Sequence, residues 1–373
     1  MSARLHRRAL SVMMLGSLAW LAIYTLKSSP SLVEPARIRC APSVRELSMW
    51  DQERTPASGS LEAWRVISWD LSVLPKDREV GIFNAQVRPT LEASLRAATP
   101  RRPVAVMIQG ASAHTQRSLE ALMLTHGGCW GSASTSPRTR LGRALERAGW
   151  PVYQSLLGPH RSAEASEERA LWTGVSHVDP SAQLYAERWA LPERPGRWPQ
   201  RWFYLRPAAL AFAFESSHDS SEITTRRLVN LKLPDAVNKH QAGALALRAL
   251  QRAPLVERLG SGWLIAGDWR VTPPNTPRHP TEEFRFQRFS LEALYADPKL
   301  HITPPLGASP ELWGRWRPST LRLDAKRGHQ PNPAIIDHAL TDTGSLKLIP
   351  TSGPWIGDHE ARAPLIFDWR STP

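Results

Sequence analysis

Several short apolar runs in this chain meet a polar residue at one end. Trp69-Asp70 closes one run, Gln109 a second and Gly267-Asp268 a third. Asp337-His338 interrupts a late run, and Gly357-Asp358-His359 stands just before the last. Carboxylates in such places can orient a water molecule or hold a hard cation, and an imidazole beside a carboxylate can serve as a general base. Lys232 and Arg270 add two cations that can donate charge-assisted hydrogen bonds to phosphate. Taken singly, an Asp after a strand is more often a helix cap or turn former than a ligand. The order and context of the set carry the weight.

The elements that must position these groups are readable from hydrophobic pattern. WRVISWDL, PVAVMIQG, PAALAFAFE, RRLVNLKLP, GWLIAGDW, AIIDHAL and PLIFDW are short, rich in β-branched or aromatic residues and bounded by charges or turn formers. They predict buried strands. Helical composition over 84–98, 118–124, 141–148 and 237–251 falls between them, with Pro89 expected in the first turns of its helix. Strands alternating irregularly with helices, and two strands adjacent between 208 and 233, indicate an α/β fold with mixed sheets. Pro-rich 273–280 and Pro304-Pro305 read as loops, and Ser216 to Ser221 (SSHDSS) as a hairpin loop.

The set resembles the endonuclease/exonuclease/phosphatase superfamily, the DNase I-like fold, whose enzymes cleave phosphoesters with a divalent metal. The resemblance rests on Ser68-Trp69-Asp70, Ile108-Gln109-Gly110, Asn230-Leu231-Lys232, Gly267-Asp268-Trp269-Arg270, Ile336-Asp337-His338 and Gly357-Asp358-His359, in the family's order. It covers about residues 64–370. It implies a four-layer α/β sandwich of two mixed β-sheets flanked by helices. By resemblance, His359 would be the general base or phosphate-contacting imidazole, Asp337 would hold its tautomer, and Asp268 would orient the attacking water. Asp358, Gln109 and Asp70 would hold Mg²⁺ or Mn²⁺, and Lys232 and Arg270 would contact phosphate.

The chain also departs from the family's pattern. The metal-binding Glu aligns with Gln109 or Gly110, the Asn of the first strand is Asp70, the central His is Lys232, and the second Asn of Gly-Asp-x-Asn is Arg270. Two readings follow. In one, Asp70 and Gln109 have exchanged the acid and amide roles, and a metal-dependent phosphoester hydrolase survives. In the other, the new cations repel the metal, and a catalytically inactive domain binds a phosphorylated ligand or an envelope partner.

Composition bounds the setting. The 373 residues carry 47 Lys plus Arg against 34 Asp plus Glu, a net +13 that favours anionic partners, nucleic acid among them. Two cysteines exclude a disulfide-dense scaffold and a four-cysteine zinc site, and leave open whether Cys40 and Cys129 pair. Residues 9–26 are uncharged and follow Arg4, Arg7 and Arg8, the pattern of a transmembrane signal anchor with its N-terminus in the cytoplasm. A cleaved signal peptide is the alternative. The expected organisation is a cytoplasmic stub and anchor over 1–27, a tether over 28–60 and one phosphoesterase-like domain over 61–373, held at the membrane outside the cytoplasm. The Trp–Arg stretches at 197–202 and 313–317 suit either base stacking or surface packing.

Overall fold

The computed structural model describes residues 13, 14, 16, 17, 33–42, 63–72, 74, 77–99, 102–134, 169–178, 182–190, 208–218, 222–232, 262–269, 300–303, 337–342, 346–350 and 364–371. Its strands, in chain order, are β1 (Val33–Pro35), β2 (Ile38–Cys40), β3 (Trp64–Asp70), β4 (Val104–Ala111), β5 (Gly128–Ser134), β6 (Ala170–Ser176) and β7 (Gln183–Ala190). They continue as β8 (Ala208–His218), β9 (Glu222–Lys232), β10 (Trp263–Asp268), β11 (Leu300–Thr303), β12 (Asp337–Asp342), β13 (Leu346–Pro350) and β14 (Leu365–Ser371). Two sheets result. The first runs β1-β7-β8-β9-β10-β12-β11 and the second β13-β14-β3-β4-β6-β5-β2. Each is mixed: β9 and β10 are parallel in the first and β3 and β4 in the second, while the other pairs are antiparallel.

A parallel pair needs a crossover, and residues 79–96 supply it between β3 and β4. This helical stretch comprises α1 (Glu79–Ile82), a π turn (Phe83–Val87) and α2 (Arg88–Arg96). Pro89 is the second residue of α2, directly after the wider turn. A proline inside a regular α-helix removes one hydrogen bond and drives its ring into the carbonyl four residues back; the π turn relieves that crowding. The helix thus begins earlier than its composition predicts, and Pro89 lies within it rather than at its start. Helix α3 (Ala113–Thr125) is capped by Ser112, whose Oγ accepts from Thr115 N at 3.2 Å.

Alternation along the strands builds two apolar layers. Val66, Ala105, Met107, Phe212, Leu228, Leu264, Ala266 and Ala339 meet between the sheets. Ile67, Trp69, Val106, Ile108 and Trp172 point the other way and pack under Phe83, Leu91, Leu95, Leu119 and Leu122 of the helical layer. Strand β4 is therefore buried at every position, and each Val, Ile or Met side chain it buries contributes roughly 1.5–3 kcal/mol. Trp263, Ile265 and Trp269, on the far side of the other sheet, are buried as well. Two mixed sheets agree with the α/β sandwich expected, and among the described residues helices cover the outer face of the second sheet.

The stretch 28–60 does more than tether. Strand β1 pairs with β7 at the edge of one sheet, and β2 pairs with β5 at the edge of the other. Cys40 faces Cys129 in that second pairing, and the two form a disulfide. The domain therefore starts ahead of residue 61. The expected helices over 141–148 and 237–251 lie outside the described residues, as does most of 9–26, where Met13, Met14, Gly16 and Ser17 are helical. Among the described residues no helix is long and apolar enough to cross a membrane.

Candidate functional site

Strand register gathers the chemistry-bearing residues at one end of the sandwich. In one sheet Asp268 is the Cα partner of Lys232 on β9 and of Asp337 on β12, so these three positions form a row. In the other sheet Asp70 is the partner of Gln109 at the ends of β3 and β4. Asp70, Gln109 and Asp268 are fully buried. The end of the sandwich between these two rows is the candidate site, called here the mouth.

Lys232 joins the rows. Its Nζ donates to Asp70 Oδ1 at 2.9 Å and lies 3.8 Å from Asp268 Oδ2. It also donates to Ser72 Oγ. Ser72 in turn donates through its backbone N to Asp70 Oδ1 and through Oγ to Asp70 Oδ2, both at 3.0 Å. The Asp70 carboxylate is thus fixed by a local Asx turn and by an ammonium from the opposite sheet. Sequence reasoning assigned Lys232 a phosphate contact and overlooked Ser72. The Asp-x-Ser spacing of an Asx turn was the available signal.

Gln109, the partner of Asp70, bonds to an amide from the opposite sheet. Its Nε2 donates to Asn230 Oδ1 at 2.7 Å, and to Ser68 Oγ and the Met107 carbonyl at 3.2 Å each. Asn230 Nδ2 donates to the carbonyls of Ile108 at 3.0 Å and Trp172 at 2.9 Å. This buried pair spans the two sheets. Gln109 Oε1 has no hydrogen-bond partner among the described residues. Asn230 was legible only as a member of its motif, and its bridging role emerges from the geometry.

Two glycines permit this arrangement. At Gly267, φ is +149°, and an added Cβ would lie 1.8 Å from the Leu231 carbonyl oxygen. The close approach of β9 and β10, which brings Lys232 beside Asp268, requires the missing side chain. At Gly110, φ is +73°, and a Cβ would meet Ser72 Cβ, Cα and N at 2.4, 2.8 and 2.9 Å. Ser72 occupies the space into which a side chain at position 110 would grow. The loop that carries it is anchored from outside: Arg169 donates to the Leu71 and Gly110 carbonyls at 3.2 and 3.0 Å and pairs with buried Glu79 at 3.4 Å.

The described residues do not fit a divalent cation. An ammonium stands between the Asp70 and Asp268 carboxylates, where a metal shared by them would sit. No group of three His, Cys, Asp or Glu side chains among the described residues could hold such an ion. Of the other expected site residues, Asp337 sits in register beside Asp268, while Arg270, Asp358 and His359 lie outside the described residues.

No family model matches the chain, and no curated protein matches it in sequence. Several solved structures are similar to it over most of its length. The catalytic domain of human Nocturnin, with a bound sulfate anion, gives a TM-score of 0.46 at 13% identity, covering 83% of this chain and 95% of that one. Two further examples are endonuclease/exonuclease/phosphatase proteins from Bacteroides thetaiotaomicron and Beutenbergia cavernae. The first has TM-score 0.46 and 9% identity over 82% of this chain and 97% of its own. The second has TM-score 0.43 and 12% identity over 83% of this chain and 72% of its own.

Proposed function

We propose that the mouth receives a phosphate ester, in a domain exported from the cytoplasm and anchored by residues 9–26. The observation that carries this reading is the meeting of Lys232, Asp70 and Asp268 at the ends of strands from both sheets. The ammonium, held by two buried carboxylates beside the Gln109–Asn230 amide pair, is oriented before any ligand arrives and retains an N–H for a phosphoryl oxygen. Arg270, close to Asp268 in sequence, would supply the second charge that a phosphate monoester or nucleic-acid backbone needs. The net charge of +13 favours the approach of such ligands. Pairing of Cys40 with Cys129 suits an oxidising compartment, which supports export.

A second reading, metal-dependent hydrolysis by His359, Asp337 and Asp268 with Mg²⁺ or Mn²⁺ near Asp358, has one observation in its favour. Asp268 and Asp337 are Cα partners at the mouth, where an acid pair could orient water and imidazole. Both readings are tested on the purified full-length chain. Hydrolysis of plasmid DNA and of bis(4-nitrophenyl) phosphate is followed with Mg²⁺, with Mn²⁺ and with chelator, beside His359→Ala and Lys232→Ala. Binding of the phosphodiester that Lys232→Ala abolishes, without turnover, is expected. Metal-dependent cleavage lost in His359→Ala would establish the hydrolase, and absence of both binding and cleavage would overturn the phosphate-ester site.

A further inference from the structure

We infer that Lys232 is the resident cation of the mouth, and that the chain handles its ligand there without a divalent metal. The inference deepens the phosphate-ester reading and rests on it for the identity of the ligand. Two independent observations support it. The first is the placement of the ammonium itself. Nζ is 2.9 Å from Asp70 on one sheet and 3.8 Å from Asp268 on the other, and both carboxylates are fully buried. A metal bridging the sheets at these oxygens would have to displace an ammonium tethered to β9.

The second observation concerns the space beside it. A divalent oxygen-ligand site needs several hard donors, and position 110, next to Gln109, could have offered a further carboxylate. It is a glycine with positive φ, and the backbone of Ser72 lies where its Cβ would be. Ser72 also uses its hydroxyl on Asp70 and Lys232. The loop thus excludes a side chain at position 110, and the lysine stands between the two carboxylates. The two features reinforce each other, because Ser72 holds Asp70 toward Lys232.

An ammonium differs chemically from the ion it replaces. It carries one charge, cannot lower the pKa of a water ligand as a metal does, and offers directed N–H donors. With two carboxylates matched to it, the ammonium offers a ligand a directed N–H donor rather than net positive charge or activation of water. A purely structural salt bridge would explain the distances equally, so the test needs a readout that a structural role would not move.

That readout is Mn²⁺ itself, followed by electron paramagnetic resonance of the free ion with the full-length chain. Wild-type protein is expected to leave the Mn²⁺ signal undiminished, and bis(4-nitrophenyl) phosphate is expected to bind equally well in chelator. Lys232→Ala is expected to gain Mn²⁺ affinity by at least about tenfold, since the ammonium no longer stands between the two buried carboxylates. Lys232→Gln, which keeps a donor but no charge, gives the same reading should Lys232→Ala not fold. Mn²⁺ bound by wild-type protein and lost in Asp70→Asn would overturn the inference, as would a folded Lys232→Gln that takes no Mn²⁺. Should the phosphodiester fail to bind under every condition while the Mn²⁺ results hold, the ligand reading falls and the resident cation stands.

Discussion

Lys232 reaches 2.9 Å from Asp70 across the gap between two sheets, and the two residues are 162 positions apart in the chain. Asp70 is fully buried and Lys232 nearly so, at 14% side-chain exposure. Removing one partner of such a pair leaves an uncompensated buried charge. Lys232→Met should therefore cost about 3–5 kcal/mol, and adding Asp70→Asn should return more than half of it. Urea unfolding of the two singles and the double variant measures this. Strictly additive losses would mean that the two groups do not interact.

Gly110 tolerates no side chain. Gly110→Ala should destabilise the chain by about 2–4 kcal/mol, because positive φ and contact with the Ser72 backbone act together. Gly110→Glu, which would restore a carboxylate at this position, should be no less damaging and should confer no metal binding. Thermal unfolding with and without Mn²⁺ gives the answer. A Gly110→Glu protein stabilised by Mn²⁺ would show that Ser72 can move aside.

The amide bridge should be as sensitive as the charged one. Asn230→Leu removes donors to the Ile108 and Trp172 carbonyls and the acceptor for Gln109. Leaving those buried groups unpaired should cost about 2–4 kcal/mol. Chemical denaturation is the measurement, and a loss below about 0.5 kcal/mol would mean that water replaces the amide.

Reductant should weaken the fold. Cys40 and Cys129 are 89 residues apart, and closing a loop of that length restricts the unfolded chain by about 4–5 kcal/mol in the chain-entropy model. Dithiothreitol and the Cys40→Ser/Cys129→Ser variant should lower the unfolding midpoint equally. A midpoint indifferent to both would show that the pair does not form in solution.

His177 adds a pH dependence. It has φ of 52° and is half-buried, and burial, followed by the charge of His126, holds its imidazole below the ordinary 6.5. The unfolded chain then binds a proton more readily than the folded one. Stability is fully present above about pH 6.5 and falls as the pH drops through the folded value. His177→Asn should remove this component and, because Asn tolerates the left-handed region, raise stability by about 0.5–1 kcal/mol. An unchanged pH profile in the variant would assign the acid sensitivity elsewhere.

The seven runs read as strands are all strands, for a simple reason. Both faces of β4 and β10 are buried, so these strands are continuously apolar and stand out in sequence. Strand β6, ALWTGVS, is also buried at every position and escaped reading because Thr173, Gly174 and Ser176 interrupt its apolar run, while the other missed strands lack the signature. Strand β5, GCWGSAS, is mostly small residues, and its place is fixed by pairing with β6 and by Cys129 rather than by its own pattern. Strands β1 and β2 have three residues each, too few for a period to show. SSHDSS was expected as a loop, yet the strands run on to His218 and Glu222 before turning. At the site, Asp70, Lys232 and Asp268 were legible because each ends a strand. That Lys232 bridges the sheets, and that Ser72 fills the space beside Gly110, are facts of tertiary approach and leave no local trace.

Strands β1 and β2 are separated only by Ala36 and Arg37, yet they belong to different sheets. Ala36 N bonds to the Ala186 carbonyl on one side, and Ala41 N bonds to the Gly128 carbonyl on the other. One short segment is thus a shared hem along the same flank of both sheets, and Cys129 locks it in place. The two halves of the sandwich have only two residues of slack there, so they cannot slide past each other along that flank. The opposite flank is tied as closely, because β12 and β13 belong to different sheets with only residues 343–345 between them, so the sandwich is bound along both edges and Lys232 and Asp70 join it in between.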